Sequence, residues 1–268
     1  MTLPMSIITE LVDLIKNRID DLQKITVENV VIGIGYSAIE LNTGHIGLCY
    51  SFQNPFFRYS KLSELAGTIS GSYAYETLEM AKSWDIGESI LGVATINALS
   101  QLIFERFREY QMLKGNIIDH LDIRKRDKVV FIGNIEPLID HLENKVDEII
   151  VMERDPWKKS KYCLPDTLVE EIVPTADVTI ITGTSLVNGT LDRLIALSQR
   201  SRERVLVGAT ASFVPSPVFK RGITLIGGMK TLDSKHLIRI VSEGGGTKQL
   251  KRASDFYCIR NKARVLNG

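Results

Sequence analysis

Five short runs rich in Val, Ile and Leu, all in the second half of the chain, constrain its fold more than any other feature. They are Val129–Gly133, Glu148–Glu153, Asp177–Thr182, Arg204–Gly208 and Ile223–Gly227. Stretches with helical periodicity separate these runs, and such alternation indicates a parallel sheet with helical crossovers. Their nearly continuous apolar character is typical of strands covered on both faces. We therefore predict an α/β domain with a Rossmann-like, mainly parallel sheet that binds ligands at the carboxyl ends of its strands.

The first part of the chain has a different pattern, which predicts a smaller α+β domain. The expected elements are a helix capped by Ser6, a β-hairpin made of Val27–Leu41 and Ile46–Phe52, and helices over Tyr73–Trp84 and from Glu88 onward. A length of 268 residues suits two domains of ordinary size. The polar connection between Lys114 and Lys128 places the domains at residues 1–113 and 114–268.

Charge and cysteine content exclude several classes of partner. Lys and Arg number 33 against 32 Asp and Glu, so the whole molecule has no field that would attract nucleic acid or an anionic membrane. The sequence contains neither an apolar run of about 20 residues nor a signal pattern. Three widely separated cysteines fit a reducing compartment better than a disulfide framework. We therefore expect a cytoplasmic protein that binds neither nucleic acid nor membrane.

Gly133 and Glu153 occupy positions that matter in a Rossmann domain. A glycine after the first strand lets a phosphate or carboxylate approach, and an acid ending the second strand can bind a ribose. The chain lacks a full G-x-G-x-x-G motif, and Glu136 stands where a pyrophosphate would need a neutral helix start. Dinucleotide binding is therefore disfavoured. A purely structural role remains an alternative. In that case Gly133 only permits the turn, and Glu153 caps backbone N–H groups or forms a salt bridge.

A more specific candidate follows the third run, at Thr182–Thr190. Its hydroxyls, carboxamide and backbone N–H groups could bind an anion or a polar small molecule; the candidate residues are Thr182, Gly183, Thr184, Asn188 and Thr190. Asn188 and Thr190 are also good helix N-caps and could serve only the helix that follows. The next two strand ends add Thr210, Gly228 and Lys230, and we expect all three turns to converge on one rim.

Metal and nucleophile motifs are weak in this chain. The histidines show no H-E-x-x-H pattern and the cysteines no C-x-x-C spacing. We therefore expect Cys49, Cys163 and Cys258 to be structural. No G-x-S-x-G elbow is present, so hydrolase chemistry has little support.

Several segments resemble the heavy-metal chelation family of unknown activity, whose members join an enolase-N-terminal-like domain to a Rossmann-like domain. The matching segments are Ile32–Ala38, Gly47–Phe52, Glu76–Trp84, Leu91–Ala98, Ile181–Thr190 and Glu243–Thr247. The resemblance implies a site in the cleft between the domains and carries over to Asn97, Gly133, Glu153, Thr184 and Asn188. Gly208–Phe213 departs from the Gly-Pro-Thr/Ser-type turn of the family. The enolase-like part resembles the portion of enolase without metal ligands, so it does not imply enolase chemistry.

Three functions remain open from the sequence. The first is binding of a small anionic or metal-chelating metabolite in the interdomain cleft, with a divalent or heavy metal ion as the associated cofactor. The second is an enzyme using an adenosine-containing cofactor such as S-adenosylmethionine. The third is an interaction protein without catalytic activity. The expected partner is a small molecule or metal ligand, and a homodimer is left open.

Overall fold

The structure is a computed structural model that describes residues 5–52, 60–155, 157–158 and 160–262. Its first part is a three-stranded antiparallel sheet with helices packed against it. In chain order the elements are α1 (Ile7–Arg18), β1 (Val27–Ile32), β2 (Tyr36–Leu41), β3 (Ile46–Tyr50), α2 (Ser60–Glu64), α3 (Ala74–Glu79) and α4 (Ile86–Phe107). Ser6 caps α1 by accepting from the N–H of Thr9, as predicted.

The second part is built on a seven-stranded sheet. Its elements are β4 (Lys128–Ile132), α5 (Glu136–Leu142), β5 (Glu148–Glu153), β6 (Cys163–Pro165), α6 (Val169–Ile172), β7 (Val178–Thr182), α7 (Thr184–Val187), α8 (Leu191–Leu197), β8 (Glu203–Val207), α9 (Ser216–Lys220), β9 (Leu225–Thr231), α10 (Ser234–Ser242), α11 (Thr247–Leu250) and β10 (Ser254–Arg260).

The strand order of the large sheet is β6-β5-β4-β7-β8-β9-β10, and only β10 runs antiparallel to its neighbour. The first six strands thus follow the Rossmann order, in which the chain reverses direction across the sheet between β4 and β7. The predicted Rossmann-like, mainly parallel sheet is confirmed. Ligands of such sheets bind at this switch point, outside the carboxyl ends of the strands.

The two sheets share one long helix, α4. Asp85 caps its start by accepting from the N–H groups of Gly87 and Glu88. The helix packs against β2 and β3 on one side and against α7 and the turn Ala209–Ala211 on the other. One continuous apolar core therefore runs from α1 through α4 into the large sheet.

By length and composition, α4 could cross a membrane, but 89% of its most apolar stretch is buried inside the protein. Burial of this kind is expected of a helix that lies between two packed layers, because its residues contact protein on every side.

Three strand predictions need correction. Val27–Leu41 forms two antiparallel strands joined by a tight turn at Gly33–Gly35. This turn packs on the α10–α11 turn, where a Cβ atom at Gly35 would lie 2.8 Å from Gly245 O. β9 continues to Thr231, so Gly228 lies inside a strand. The third correction is β10, because no strand was predicted after Ile223–Gly227.

Candidate functional site

The carboxyl ends of β4 and β7 lie side by side at the switch point. Gly133 follows β4 with a φ of 94°, and a Cβ atom there would lie 3.0 Å from Thr182 Cγ2. Both the positive φ and the close neighbour favour glycine at this position. Gly133, Glu153, Gly183 and Gly208 all end parallel strands at this edge, as predicted.

Glu153 binds the backbone of two loops. One carboxylate oxygen accepts from the N–H of Asn134 at 2.8 Å, and the other accepts from the N–H of Asp155 at 2.8 Å. The carboxylate therefore ties the loop after β4 to the loop after β5. These two bonds give Glu153 a structural role, which the sequence left as one of two alternatives.

Asn134 is a site residue that sequence reasoning missed. Its Oδ1 is buried and has no hydrogen-bond partner among the described residues. A buried acceptor without a donor is costly, so this atom is ready to accept from a hydroxyl or amine of a ligand, or from water. Asn134 directly follows Gly133, and its position after the first Rossmann strand was the available signal.

The segment after β7 presents two hydroxyls to the same edge. Thr184 Oγ1 lies 3.1 Å from Thr182 Oγ1, and both residues are half-buried. Gly183 packs against the 209–211 turn, where a Cβ atom would lie 2.7 Å from Ala211 N. The ends of β7 and β8 are therefore in direct contact.

Thr210 joins the large sheet to the smaller one. Its Oγ1 accepts from the N–H of Tyr50 at 3.0 Å, and its carbonyl accepts from Asn97 Nδ2 at 3.0 Å. Asn97 also donates to Leu48 O at 2.7 Å, and its side chain is completely buried. Asn97 thus lies beneath the surface of the site, within the packing between the two parts, whereas the resemblance implied a cleft residue. Its Oδ1 has no partner among the described residues.

Lys158 brings a positive charge to the site from the loop after β5. Its Nζ donates to the Tyr50 hydroxyl at 3.2 Å and lies 4.9 Å from the centre of the Tyr50 ring. Desolvation opposes the charge, but the Tyr50 hydroxyl and the carboxylates of Glu153 and Asp155 outweigh it, so the pKa of Lys158 is raised. No sequence pattern marked Lys158, because its role depends on contact with a residue 108 positions away.

These contacts close a ring around the switch point, which we call the switch-point rim. Its members are Tyr50, Gly133, Asn134, Glu153, Lys158, Thr182, Thr184 and Thr210. The rim combines a cation, hydroxyls and an unpaired acceptor, and such a set can bind a small molecule that carries both an anionic group and a hydrogen-bond donor.

Four predicted residues are placed differently. Asn188 Oδ1 accepts from the N–H of Thr190 at 3.2 Å and from its hydroxyl at 2.7 Å, so the pair forms a local turn between α7 and α8. Gly228 is packed inside β9, where a Cβ atom would lie 2.7 Å from Tyr257 Oη. Lys230 is exposed farther along β9, opposite Asp255. The prediction that Gly228 and Lys230 lie in a turn on the rim is therefore wrong.

The part of the chain that the structure describes provides no set of side chains that matches a heavy-metal ion. Across 5–52, 60–155, 157–158 and 160–262, no group of three or more His, Cys, Asp or Glu could hold one. The remaining residues of the sequence include none of these four types. Cys49, Cys163 and Cys258 lie in three different strands. Burial raises the pKa of Cys49, and it raises the pKa of Cys258 to about 11, which disfavours the thiolate that binds metal.

The fold defines an α/β protein with a Rossmann-like sheet, a shared central helix and an antiparallel sheet that contacts the carboxyl edge of the large sheet. Two family models, both described as "Putative heavy-metal chelation", match this chain: DUF364 over residues 116–260 and DUF4213 over residues 15–100. The DUF364 match covers more than half of the chain, so the chain belongs to the DUF364 family.

The chain is also similar to several known proteins. An uncharacterized protein of Methanocaldococcus jannaschii is 32% identical over 185 residues, which cover 69% of this chain and 70% of that protein. A protein of unknown function from the DUF364 family of Pyrococcus horikoshii has a similar crystal structure, with a TM-score of 0.82, 22% identity, and coverage of 95% of this chain and 100% of that one. A family member from Desulfitobacterium hafniense gives a TM-score of 0.77 and 24% identity, covering 96% and 100%. The two structures support the fold.

Proposed function

We propose that the chain binds a small anionic metabolite of the metal-chelating type at the switch-point rim. The observation that carries the proposal is Lys158, whose ammonium group is held by Tyr50 beside the carboxyl edge of the large sheet. Thr182 and Thr184 add hydroxyls, and Asn134 adds an unpaired acceptor. A ligand that satisfies all of them carries a carboxylate or similar anion together with a hydroxyl or amine. Hydroxycarboxylates and aminocarboxylates have this composition, and their oxygen and nitrogen groups also bind metal ions.

In this proposal the metal belongs to the ligand. Among the residues that the structure describes, no group of thiolates, imidazoles or carboxylates matches a heavy-metal ion, so the organic chelator would hold the ion. The protein residues would then bind the chelator, orient it and exclude water around it. This interpretation agrees with the family description without requiring a metal site made of side chains.

An adenosine-containing cofactor has less support. Both carboxylate oxygens of Glu153, which would bind the ribose, already accept backbone N–H groups. The loop after β4 also lacks the glycine-rich sequence that would let a phosphate approach. The interaction-protein alternative predicts that no small molecule binds at the rim.

We propose the cytoplasm as the location, because the three cysteines are free thiols.

Calorimetric titration with citrate, a hydroxycarboxylate, tests the proposal. We expect Lys158→Gln to weaken citrate binding by about tenfold or more, because a hydrogen bond to a charged group contributes about 1.5–3 kcal/mol. Lys161→Gln is the matched control, since Lys161 lies on the same loop but pairs with Glu143. Cd²⁺ alone should bind weakly, and equally to the wild type and to a variant with all three cysteines replaced by alanine.

Other results would contradict this picture. Equal citrate affinity in Lys158→Gln and the wild type would remove Lys158 from the site. Tight Cd²⁺ binding that disappears in the cysteine-free variant would show that the chain itself chelates metal. An adenosine-sized adduct in native mass spectrometry of the freshly purified protein would favour the cofactor-dependent enzyme instead.

A further inference from the structure

A second concave surface lies at the opposite, amino edge of the large sheet. It is a groove of about 650 Å³ between the turn that ends at His120, the start of β8 and the end of β10. The residues that line this amino-edge groove are Asp119, His120, Leu121, Asp122, Arg202, Glu203, Thr224, Arg260 and Asn261. None of them belongs to the switch-point rim.

Glu203 forms the buried floor of the amino-edge groove. Its side chain is 7% exposed, and its carboxylate accepts from Arg260 Nη1 at 3.0 and 3.1 Å. The Thr224 hydroxyl donates to the same carboxylate at 2.5 Å, and the N–H of Asp122 donates at 3.3 Å. Arg260 balances the charge of Glu203, and the four hydrogen bonds together fix its carboxylate in place.

Glu203 holds the guanidinium of Arg260 in place through only one of its nitrogen atoms. Among the described residues, the Arg260 side chain makes its hydrogen bonds through Nη1 to Glu203, whereas a guanidinium has five N–H donors. Within the described residues, Nη2 and Nε have no partner, and the side chain remains 28% exposed in the wall of the groove. Nη2 and Nε form the side of a guanidinium that binds the two oxygens of a carboxylate or phosphate together.

Other residues that line the amino-edge groove provide hydrogen-bond acceptors. His120 Nε2 donates to Lys114 O at 2.8 Å, which fixes the ring in the wall. Asp119 presents a carboxylate that is 61% exposed. The wall therefore offers an oriented guanidinium together with acceptors for a hydroxyl or amine.

We infer that the amino-edge groove is a second ligand site, which binds the oxyanion of a small polar molecule through Arg260. The ligand class is a carboxylate or phosphate that also carries a hydroxyl or amine. Glu203 acts as a positioning residue, because it fixes the guanidinium before the ligand arrives. This site is independent of the proposed function at the switch-point rim.

Titration of the ¹⁵N-labelled protein with inorganic phosphate and, separately, with succinate tests this inference by amide chemical shifts. We expect saturable shifts at Thr224, Asn261 and His120 with at least one probe, and the stronger response identifies the oxyanion. Arg260→Lys keeps the charge beside Glu203 but loses the fork, so affinity should fall by about tenfold. Arg239→Lys, an exposed change on α10, should leave it unaltered.

Equal affinity in Arg260→Lys and the wild type would overturn the inference, as would the absence of saturable shifts with both probes. Shifts confined to Gly133 and Thr184 would assign the oxyanion to the other edge of the sheet. Lys158→Gln separates the two proposals, since it should weaken citrate binding at the rim and leave the response at Thr224 unchanged.

Discussion

At the scale of single residues, Asn97 is the clearest link between the two parts. Its Nδ2 donates to Leu48 O and Thr210 O in a completely buried position. We expect Asn97→Ala to lower the free energy of unfolding by about 2–4 kcal/mol, because two buried carbonyl groups lose their donor. Urea unfolding measures the change, and the exposed Asn144→Ala serves as the control. A loss below about 1 kcal/mol would mean that water replaces the amide.

Thiol reactivity gives a second residue-scale prediction. Cys163 is half-buried, whereas Cys49 and Cys258 are buried. At pH 8 a thiol reagent should modify Cys163 in the folded protein, and the other two only after unfolding. Because the pKa of Cys258 is raised to about 11, its thiol remains protonated when folded. Its contribution to stability is full below the unfolded pKa of about 8.5 and is lost as the pH rises toward 11.

Mass spectrometry of the modified protein and of Cys163→Ser measures this reactivity. Fast modification of two or more thiols in the folded protein would contradict the burial of Cys49 and Cys258. For stability, the matching measurement is urea unfolding of Cys258→Ala and the wild type between pH 8 and pH 10.5. The wild type should lose more stability over this range than the variant, because only the wild type carries the thiol whose ionisation favours the unfolded chain.

The positions of the candidate site residues were only partly predictable from the sequence. Gly133, Glu153 and Thr184 could be found because they follow predicted strands, and strand ends meet at one edge. Lys158 and Tyr50 could not, since their contact depends on how the smaller sheet docks on the larger one. The bonds of Glu153 to two N–H groups depend on loop conformation, which residue type alone does not determine.

At the scale of elements, β3 lies directly on α4. A Cβ atom at Gly47 would lie 1.9 Å from Ala94 O and 2.2 Å from Ala98 N. We expect Gly47→Ala to push β3 away from the helix and to lower the free energy of unfolding by more than about 3 kcal/mol. A loss of this size is in the upper range for single substitutions. Gly67→Ala is the control: Gly67 has a positive φ, which Gly47 does not have, but no neighbour within 4 Å, so the change should lower the free energy of unfolding by only about 1 kcal/mol.

Thermal unfolding followed by circular dichroism compares these two glycine variants. A melting temperature for Gly47→Ala equal to that of Gly67→Ala would mean that β3 can shift without loss. Low yield of folded Gly47→Ala, together with normal yield of Gly67→Ala, would support the close contact.

Elements buried on both faces were the most predictable. Glu148–Glu153 was predicted with the bounds that the structure has, because its apolar run has clear ends. β10 was missed, since it pairs at the sheet edge and its polar residues hide the pattern. β6 was missed because three residues between turns carry too little periodicity.

At the scale of the whole molecule, the shared core predicts cooperative unfolding. Core residues of α1, α4, β7 and β8 belong to one cluster. We expect a single calorimetric transition, with the van't Hoff enthalpy close to the calorimetric enthalpy. A fragment of residues 114–268, which follows the predicted domain boundary, should fail to fold stably, because it exposes the apolar surface that α4 covers. Two separate transitions, or a stable fragment, would show that the boundary divides independent units.

The bonds that α4 makes across the junction have a consequence for how the sequence can change over time. The amides of Asn97 and Gln101 donate to the carbonyl groups of Leu48, Thr210 and Ser212. Every amino acid carries that carbonyl, so these bonds survive substitution of the residues that accept them. Substitution of Asn97 or Gln101 removes the bonds, because their side chains supply the donors. These bonds should therefore restrict substitution at the two helix positions. They should place no restriction on the side chains at the three accepting positions.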